Sequence, residues 1–330
     1  PVIPPVYLTA TYQFEKSDDL IEVVQNHSGY LYSRWDNPSV KEVEQMLAEL
    51  EGYDRALGFG SGMAAITTAI MANIRKGCRI VAMQELYGGT FEFLNDVMPT
   101  LDVQTVFINC RHTEEILKEI DKGLSILYLE TPTNPLLRVV DVKPLAEAAH
   151  RNGAIVLLDS TFASPINQHP VDLGVDLVLH SGTKYLGGHH DVTAGFVCCN
   201  SQQFEKIWTY RTILGGVMDH LSAFLTLRGL QTLDLRIDRH NQNAMAIATF
   251  LDAHPKITAL HYPGLPSHPD HAHAAPLLSG FGGMLSLRLA GGAAAADRLT
   301  QALELPAIAP SLGGVESLIE APALISYWDK

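Results

Sequence analysis

The chain has 330 residues, 47% of them hydrophobic, and a mean hydropathy of +0.08, enough to bury a large core divided between two domains. A formal net charge of -13 and a pI near 5.5 leave no basic footprint for a phosphate backbone, which argues against nucleic acid and for a small-molecule ligand. No apolar run approaches the roughly eighteen residues of a membrane span, so no membrane partner is expected.

At the N-terminus, PVIPPVYLTATY lacks the charged-then-apolar layout of a signal peptide and starts at Pro1 rather than Met, which reads as a trimmed start. Residues 1–40 are polar and turn-rich, with PVIPP and WDNPS, and are expected to form an arm rather than a domain. LGFGSGMAAITTAIMANI then places a glycine-rich turn before a helix with Met63, Ile66, Ile70 and Ile74 on one face. Such a helix start offers N–H groups and a positive dipole end to a phosphate. A plain tight turn is the commoner meaning of GFGSGM, which matches neither the Walker pattern nor GxGxxG.

The strand candidates are RIVAM (79–83), VQTVFIN (103–109), LSILYLE (124–130), AIVLLD (154–159), VDLVLH (175–180) and GFVCCN (195–200). Among the segments between them, VDVKPLAEAAHRNG has helical spacing at Leu145, Ala148 and Ala149, with Gly153 as its stop. Near-continuous apolar strands alternating with helices predict an α/β domain over 41–220, built on a mainly parallel sheet with its ligand at the carboxyl ends of the strands. From about 219, HLSAFLTLRGLQTLDLRIDRHNQNAMAIATFLDAH reads as one long connecting helix, and 221–330 as that helix plus a smaller α+β domain. His268, His271 and His273 in SHPDHAH read as a solvated loop rather than a metal site, since no second ligand cluster accompanies them. Cys78, Cys110, Cys198 and Cys199 form no CxxC pair or disulfide framework, which suits a reducing, cytoplasmic setting.

Two residues carry the chemistry. Asp159 closes AIVLLD, and Lys184 follows the next strand in VLHSGTKYLGGHHD. Separately they have ordinary meanings, a helix N-cap and a solvated charge. In a parallel sheet both strand ends lie on one rim, where Ser181, Thr183 and the glycine-rich helix start can join them. The set supplies what pyridoxal 5'-phosphate requires: a lysine to hold it, an acid partner for its ring nitrogen and a phosphate cradle.

These motifs, with YSRWDNPS, LYGGT, ETPTNP, LLDSTFASP, RGLQTLDLR, YPGLPSHP and SLGGVES, resemble the Cys/Met-metabolism family of pyridoxal-phosphate enzymes along essentially the whole chain. The family includes cystathionine γ-synthases, cystathionine γ-lyases, methionine γ-lyases and homoserine sulfhydrylases. The resemblance implies the aspartate-aminotransferase-like fold (fold type I), with a mainly parallel seven-stranded sheet covered on both faces and a smaller C-terminal α+β domain. It implies that Lys184 carries the cofactor and that Ser61, Gly62, Met63, Ser181 and Thr183 hold its phosphate. Tyr87 stacks on the ring, Asn134 lies near the ring hydroxyl and Asp159 keeps the ring nitrogen protonated. Tyr32 and Arg34 reach the phosphate of a neighbouring subunit, so a homodimer completes each site and a homotetramer is the expected assembly. Ser311 lies near the substrate carboxylate.

The resemblance also implies chemistry at the substrate's γ-carbon, as replacement by a thiol or as elimination to a 2-oxo acid and ammonia. PAIAPSLGG, ILGGVMD and ISYWD are closest to the synthases, which use cysteine on an activated homoserine ester. Leu31 stands where cystathionine-handling members often carry an acid, and Gly89 where methionine γ-lyases typically have cysteine. Neither departure touches a sulfhydrylase. The sequence stops at Lys330, before the family's LVR-type segment whose arginine binds the substrate carboxylate, so either the sequence is truncated or another group must serve. The competing class is an inactive relative that only binds the cofactor.

Overall fold

The computed structural model describes residues 1–27 and 29–322; ISYWD lies outside the described residues. Seven strands form one sheet: β1 (Arg55–Phe59), β2 (Arg79–Met83), β3 (Gln104–Ile108), β4 (Ile126–Glu130), β5 (Ile155–Asp159), β6 (Leu177–Ser181) and β7 (Gly195–Cys199). Their order is β1-β7-β6-β5-β4-β2-β3. Strands β3, β2, β4, β5 and β6 run parallel, and β7 is antiparallel to both β6 and β1. The expected mainly parallel seven-stranded sheet is present. Every residue of β4 and β7 is buried, including Cys198 and Cys199, as a sheet covered on both faces requires.

Strand β1 is the one that apolar runs did not reveal. Its sequence, RALGF, leads straight into the glycine turn, and its register with β7 pairs Phe59 with Gly195. A Cβ on Gly58 would lie 3.2 Å from Met218 Sδ, so that a side chain there would have to push Met218 back. The helix after the turn, Gly62–Met71, is shorter than its pattern suggested and leaves Ile74 outside it. The helix Val142–Arg151 matches its spacing, and Gly153 follows it at a φ of 71°.

The expected long connecting helix is two helices, His220–Leu230 and Leu233–Asp252. The break has a physical cause. Arg236 donates to the Gly229 carbonyl at 2.7 Å and to the Tyr185 carbonyl at 2.7 Å, and a Cβ on Gly229 would sit 2.3 Å from the Gly187 carbonyl oxygen. The helix end is thus pressed against the loop that follows β6. Beyond it lie an antiparallel pair, Ile257–His261 with Ser286–Leu289, and a short parallel pair, Ala307–Ile308 with Leu318–Ile319.

The N-terminal segment is less polar than its composition suggested. The helix Ser17–Asn26 (α1) buries none of its residues and exposes Leu20, Ile21 and Val24 as a stripe. In WDNPS, Asn37 caps the next helix, Pro38–Glu51 (α2), by accepting from Ser39 N at 2.9 Å, with Pro38 at the first turn where its missing N–H costs nothing. Buried Arg211 then ties three segments to its own helix: it reaches Glu44 of α2 at 2.6 Å, the Gly58 carbonyl of β1 at 3.0 Å and the Trp35 carbonyl at 3.1 Å. Although burial opposes it, the charges of Arg211 and Lys41 hold the Glu44 carboxyl below its usual 4.5.

Removing one partner of such a pair strands the other, at a cost of about 3–5 kcal/mol. Arg211→Met should lower the denaturation midpoint accordingly. Because the Glu44 carboxyl is depressed, its stabilisation is present above 4.5 and is lost as pH falls through the folded-state value. The stability gap between wild type and variant should therefore shrink in acid, as urea titrations at several pH values will measure.

Candidate active site

The helix that starts at Gly62 (α3, Gly62–Met71) points its first turn at the ends of β6 and β7. Ser61 caps it, its hydroxyl accepting from Ala64 N at 3.1 Å, and helix geometry leaves Gly62 and Met63 N–H without intrahelical acceptors. Two glycines make the approach possible. A Cβ on Gly62 would lie 3.0 Å from Ser181 Cβ, and one on Gly195 only 2.0 Å from the Ser61 carbonyl oxygen. Ser61, Gly62, Met63 and Ser181 are brought together as expected. Thr183 is close by, but its hydroxyl already serves Ala194, accepting from its N–H at 3.0 Å and donating to its carbonyl at 3.3 Å.

Lys184 follows on the turn after β6, part-buried, with Nζ donating to Ser311 Oγ at 3.0 Å. Burial holds the Lys184 ammonium below the usual lysine range, opposed by the charge of Glu320. Ser311 has a φ of 132°, a backbone region that favours glycine, so the hydroxyl is held there at the cost of local strain. Two residues on, Gly313 packs so closely that a Cβ would lie 2.5 Å from Tyr185 N. The segment around Ser311 is thereby seated directly on the lysine turn.

Asp159 ends β5 and is buried. Its carboxylate accepts from Thr161 N at 3.0 Å, and Thr161 Oγ1 in turn accepts from Ser181 N at 2.8 Å. Burial raises the Asp159 carboxyl, while Thr161 and the charge of His180 pull it back. Glu130 ends β4 in register with Asp159, and Glu130 Oε2 accepts from Tyr87 N at 2.8 Å. The Asn134 N–H also bonds to Glu130. Tyr87 itself is half-exposed, next to Met63 across Gly89: a Cβ on Gly89 would meet the Tyr87 ring at 2.9 Å and Met63 Sδ at 3.1 Å.

Tyr32 and Arg34 stand apart from this set within their own chain. Arg34 donates to the Thr212 carbonyl at 2.6 Å and lies over the exposed Tyr32 ring. The SHPDHAH segment is not the solvated loop expected. His268 is buried, His271 and His273 bond the carbonyls of Pro263 and Val139, and Asp270 forms an ion pair with Arg138. The reason is that Asp270 closes this loop onto the main sheet's connecting segment. Among the described residues no group of three His, Cys, Asp or Glu side chains could hold a metal ion.

The family described as Cys/Met metabolism PLP-dependent enzyme matches residues 1–330. The chain belongs to this family. It is 37% identical to cystathionine gamma-synthase 1, chloroplastic, of Arabidopsis thaliana over 330 residues, covering 99% of this chain and 59% of the relative. It is 40% identical to a cystathionine gamma-lyase of Bacillus subtilis over 324 residues, covering 98% of this chain and 83% of the relative. The chain thus spans about three-fifths of the plant protein's length. Among crystal structures, metB from Corynebacterium glutamicum superposes with a TM-score of 0.95 at 38% identity, covering 99% of this chain and 84% of that one. Cystathionine gamma synthase from Xanthomonas oryzae pv. oryzae, in complex with aminoacrylate and cysteine, gives 0.94 at 37% identity, covering 99% and 83%.

The geometry fits the cofactor of this PLP-dependent family. An amine of lowered proton affinity, a buried strand-end carboxyl and a helix N-terminus that only glycine lets approach are the three attachment points it needs. Sequence reasoning missed Glu130 and Thr161. Glu130 could have been found by the rule that found Asp159, an acid closing an apolar strand. Thr161 carried no such signal.

Crowding at Gly89 can be tested directly. Gly89→Ala should push the Tyr87 ring aside, and if that ring covers pyridoxal phosphate, losing a contact worth about 1 kcal/mol should weaken cofactor binding roughly fivefold. Titration of the cofactor-free protein should show this with an unchanged denaturation midpoint.

Proposed function

We propose that the chain catalyses γ-replacement on an activated homoserine ester, with cysteine as the thiol. The arrangement that supports this is the part-buried Lys184 amine, 3.0 Å from Ser311 Oγ, on the turn after β6, the strand that pairs with β5 at Asp159 and meets the α3 N-terminus at Ser181. Pyridoxal phosphate, when bound, draws electrons from the substrate's α-carbon. The chain's own residues do the rest. Gly62 and Met63 N–H, with the Ser61 and Ser181 hydroxyls, grip the phosphate. The Asp159 carboxylate keeps a proton on the ring nitrogen, and the Tyr87 ring covers one face. Lys184 Nζ, with its lowered proton affinity, moves protons at the substrate's α- and β-carbons, which frees the γ-substituent to leave. The strained Ser311 hydroxyl orients that amine and adjoins the substrate carboxylate. The thiolate of cysteine then adds at Cγ. The buried, unpaired thiols of the described cysteines agree with a reducing, cytoplasmic setting.

Leu31 favours a second reading, a sulfhydrylase that uses sulfide. An apolar side chain leaves the ammonium of incoming cysteine without an acidic partner, a loss of about 1.5–3 kcal/mol or one to two decades of affinity. With an activated homoserine ester and rising cysteine, cystathionine should overtake 2-oxobutyrate as product. Persistent 2-oxobutyrate at saturating cysteine makes the protein a γ-lyase, as the Bacillus relative is named. Turnover with sulfide but not cysteine makes it a sulfhydrylase, and Leu31→Glu should then improve the use of cysteine.

We further propose a homodimer with shared sites, within a tetramer. Its support is the arm: Tyr32 is exposed beside Arg34, and α1 presents an apolar stripe that the described residues leave uncovered. Mixing inactive Arg34→Ala and Lys184→Ala subunits should restore part of the activity, since hybrid dimers regain one intact site. Hybrids that remain inactive after verified re-association would place the arm in its own subunit's site.

A further inference from the structure

Glu130 is the buried acid that the proposed chemistry does not use. It is 5% exposed and Asp159 7%, and both close adjacent parallel strands in direct register, so their carboxyl groups share one face of the sheet. Neither forms an ion pair with any described residue. From β4 itself, the group that faces them is the buried Tyr128 phenol, two residues earlier; from the loops after β2 and β4 come only the N–H groups of Tyr87 and Asn134; Thr161 bonds Asp159 from beyond β5. His180 of β6 points to the opposite face, where it bonds Glu51. Two carboxylates in that setting cannot both ionise cheaply, and one proton must stay.

We propose that Glu130 is a positioning residue held as a neutral carboxylic acid, sharing one negative charge with Asp159 while it anchors the N–H groups of Tyr87 and Asn134. Asp159 is the better anion of the two, because Thr161 supplies it with both an N–H and a hydroxyl and His180 lies behind it. Burial and the Asp159 charge together push the Glu130 carboxyl well above its usual 4.5. A protonated carboxyl retains a carbonyl oxygen with two lone pairs, enough for both backbone donors. The consequence rests on the cofactor reading above: the residues assigned to the ring face and the ring hydroxyl are fastened to the same acid that leaves Asp159 charged for the ring nitrogen. One side chain couples placement to protonation.

The test compares Glu130→Gln, which mimics the neutral acid, with Glu130→Ala, which removes the anchor. In the full chain, with and without pyridoxal phosphate, the wild-type-minus-Gln infrared difference should contain a protonated-carboxyl band at neutral pH. That band should move on 13C labelling of glutamate carboxyls; movement with labelled aspartate instead overturns the proposal. The sign of the stability change is also set. A carboxyl raised in the folded state loses its contribution as pH rises above 4.5 toward the folded value, so wild type should fall in stability relative to Glu130→Gln over that range. A parallel course for the two proteins counts against it. In the loaded enzyme, Glu130→Ala should lower kcat roughly 10- to 100-fold by displacing Tyr87 and Asn134, with KM little changed, and Gln should recover most of the loss. A Gln variant as impaired as Ala overturns the neutral-acid assignment. Failure of wild type to take up pyridoxal phosphate would instead sink the cofactor reading, and leaves the infrared and stability results to judge Glu130 alone.

Discussion

The site depends on one steric constraint, the close approach of the first turn of α3 to the ends of β6 and β7. Gly195 has no space for a Cβ because the Ser61 carbonyl oxygen lies 2.0 Å from where it would be, and a Cβ on Gly62 would lie 3.0 Å from Ser181 Cβ, a tight contact. Backbone N–H groups can crowd an anion only where side chains do not intervene. The antiparallel strand β7 is what delivers Gly195 to this point, through its pairing with Phe59 and Ser181. A wholly parallel sheet would have put a different strand end there.

A second constraint acts from outside the sheet. The lysine turn is gripped by Arg236, whose guanidinium bonds both the Tyr185 carbonyl and the end of the helix His220–Leu230. Gly313 presses on the same turn from the C-terminal region, and the Tyr185 hydroxyl accepts from Gly283 N at 2.9 Å. Lys184 is therefore a flexible side chain on a backbone held from three directions. This suits the proton-moving role proposed for the Lys184 amine. The strain at Ser311 belongs to the same scheme, since the surrounding contacts must hold an unfavourable φ in place.

Charge is arranged so that the costly groups are either paired or kept neutral. Glu44 and Arg211 compensate each other in the interior beneath the site, along with Lys41 and Asp36. At the strand ends, Glu130 and Asp159 form no ion pair among the described residues, and the one charge that bears on Asp159 is that of His180, which bonds Glu51 on the opposite face. The contrast separates a pair that holds the chain together from a pair for which a shared proton is proposed.

Asp159, Lys184 and the glycine turn before α3 were legible in the sequence because each breaks a local pattern: an acid or an amine at the end of an apolar strand, or glycines where a helix begins. Most of the sheet was legible for the same reason, since buried parallel strands write themselves as continuous apolar runs. Strand β1 was not, because Gly58 and the following turn interrupt its run, and only its pairing with β7 defines it. The break after Leu230 was equally hidden: its cause is Arg236 reaching carbonyls on a distant turn, which no helical pattern records. Glu130 and Thr161 act through register and through backbone donors from other segments. Local identity and spacing thus marked the parallel sheet, the strand-end acid and lysine and the glycine turn, and the resemblance to the family supplied the remaining cofactor residues as expectations. The tertiary structure alone decided which acids share a charge, which hydroxyls are already occupied and which turns are clamped, because those depend on distances between residues far apart in the chain.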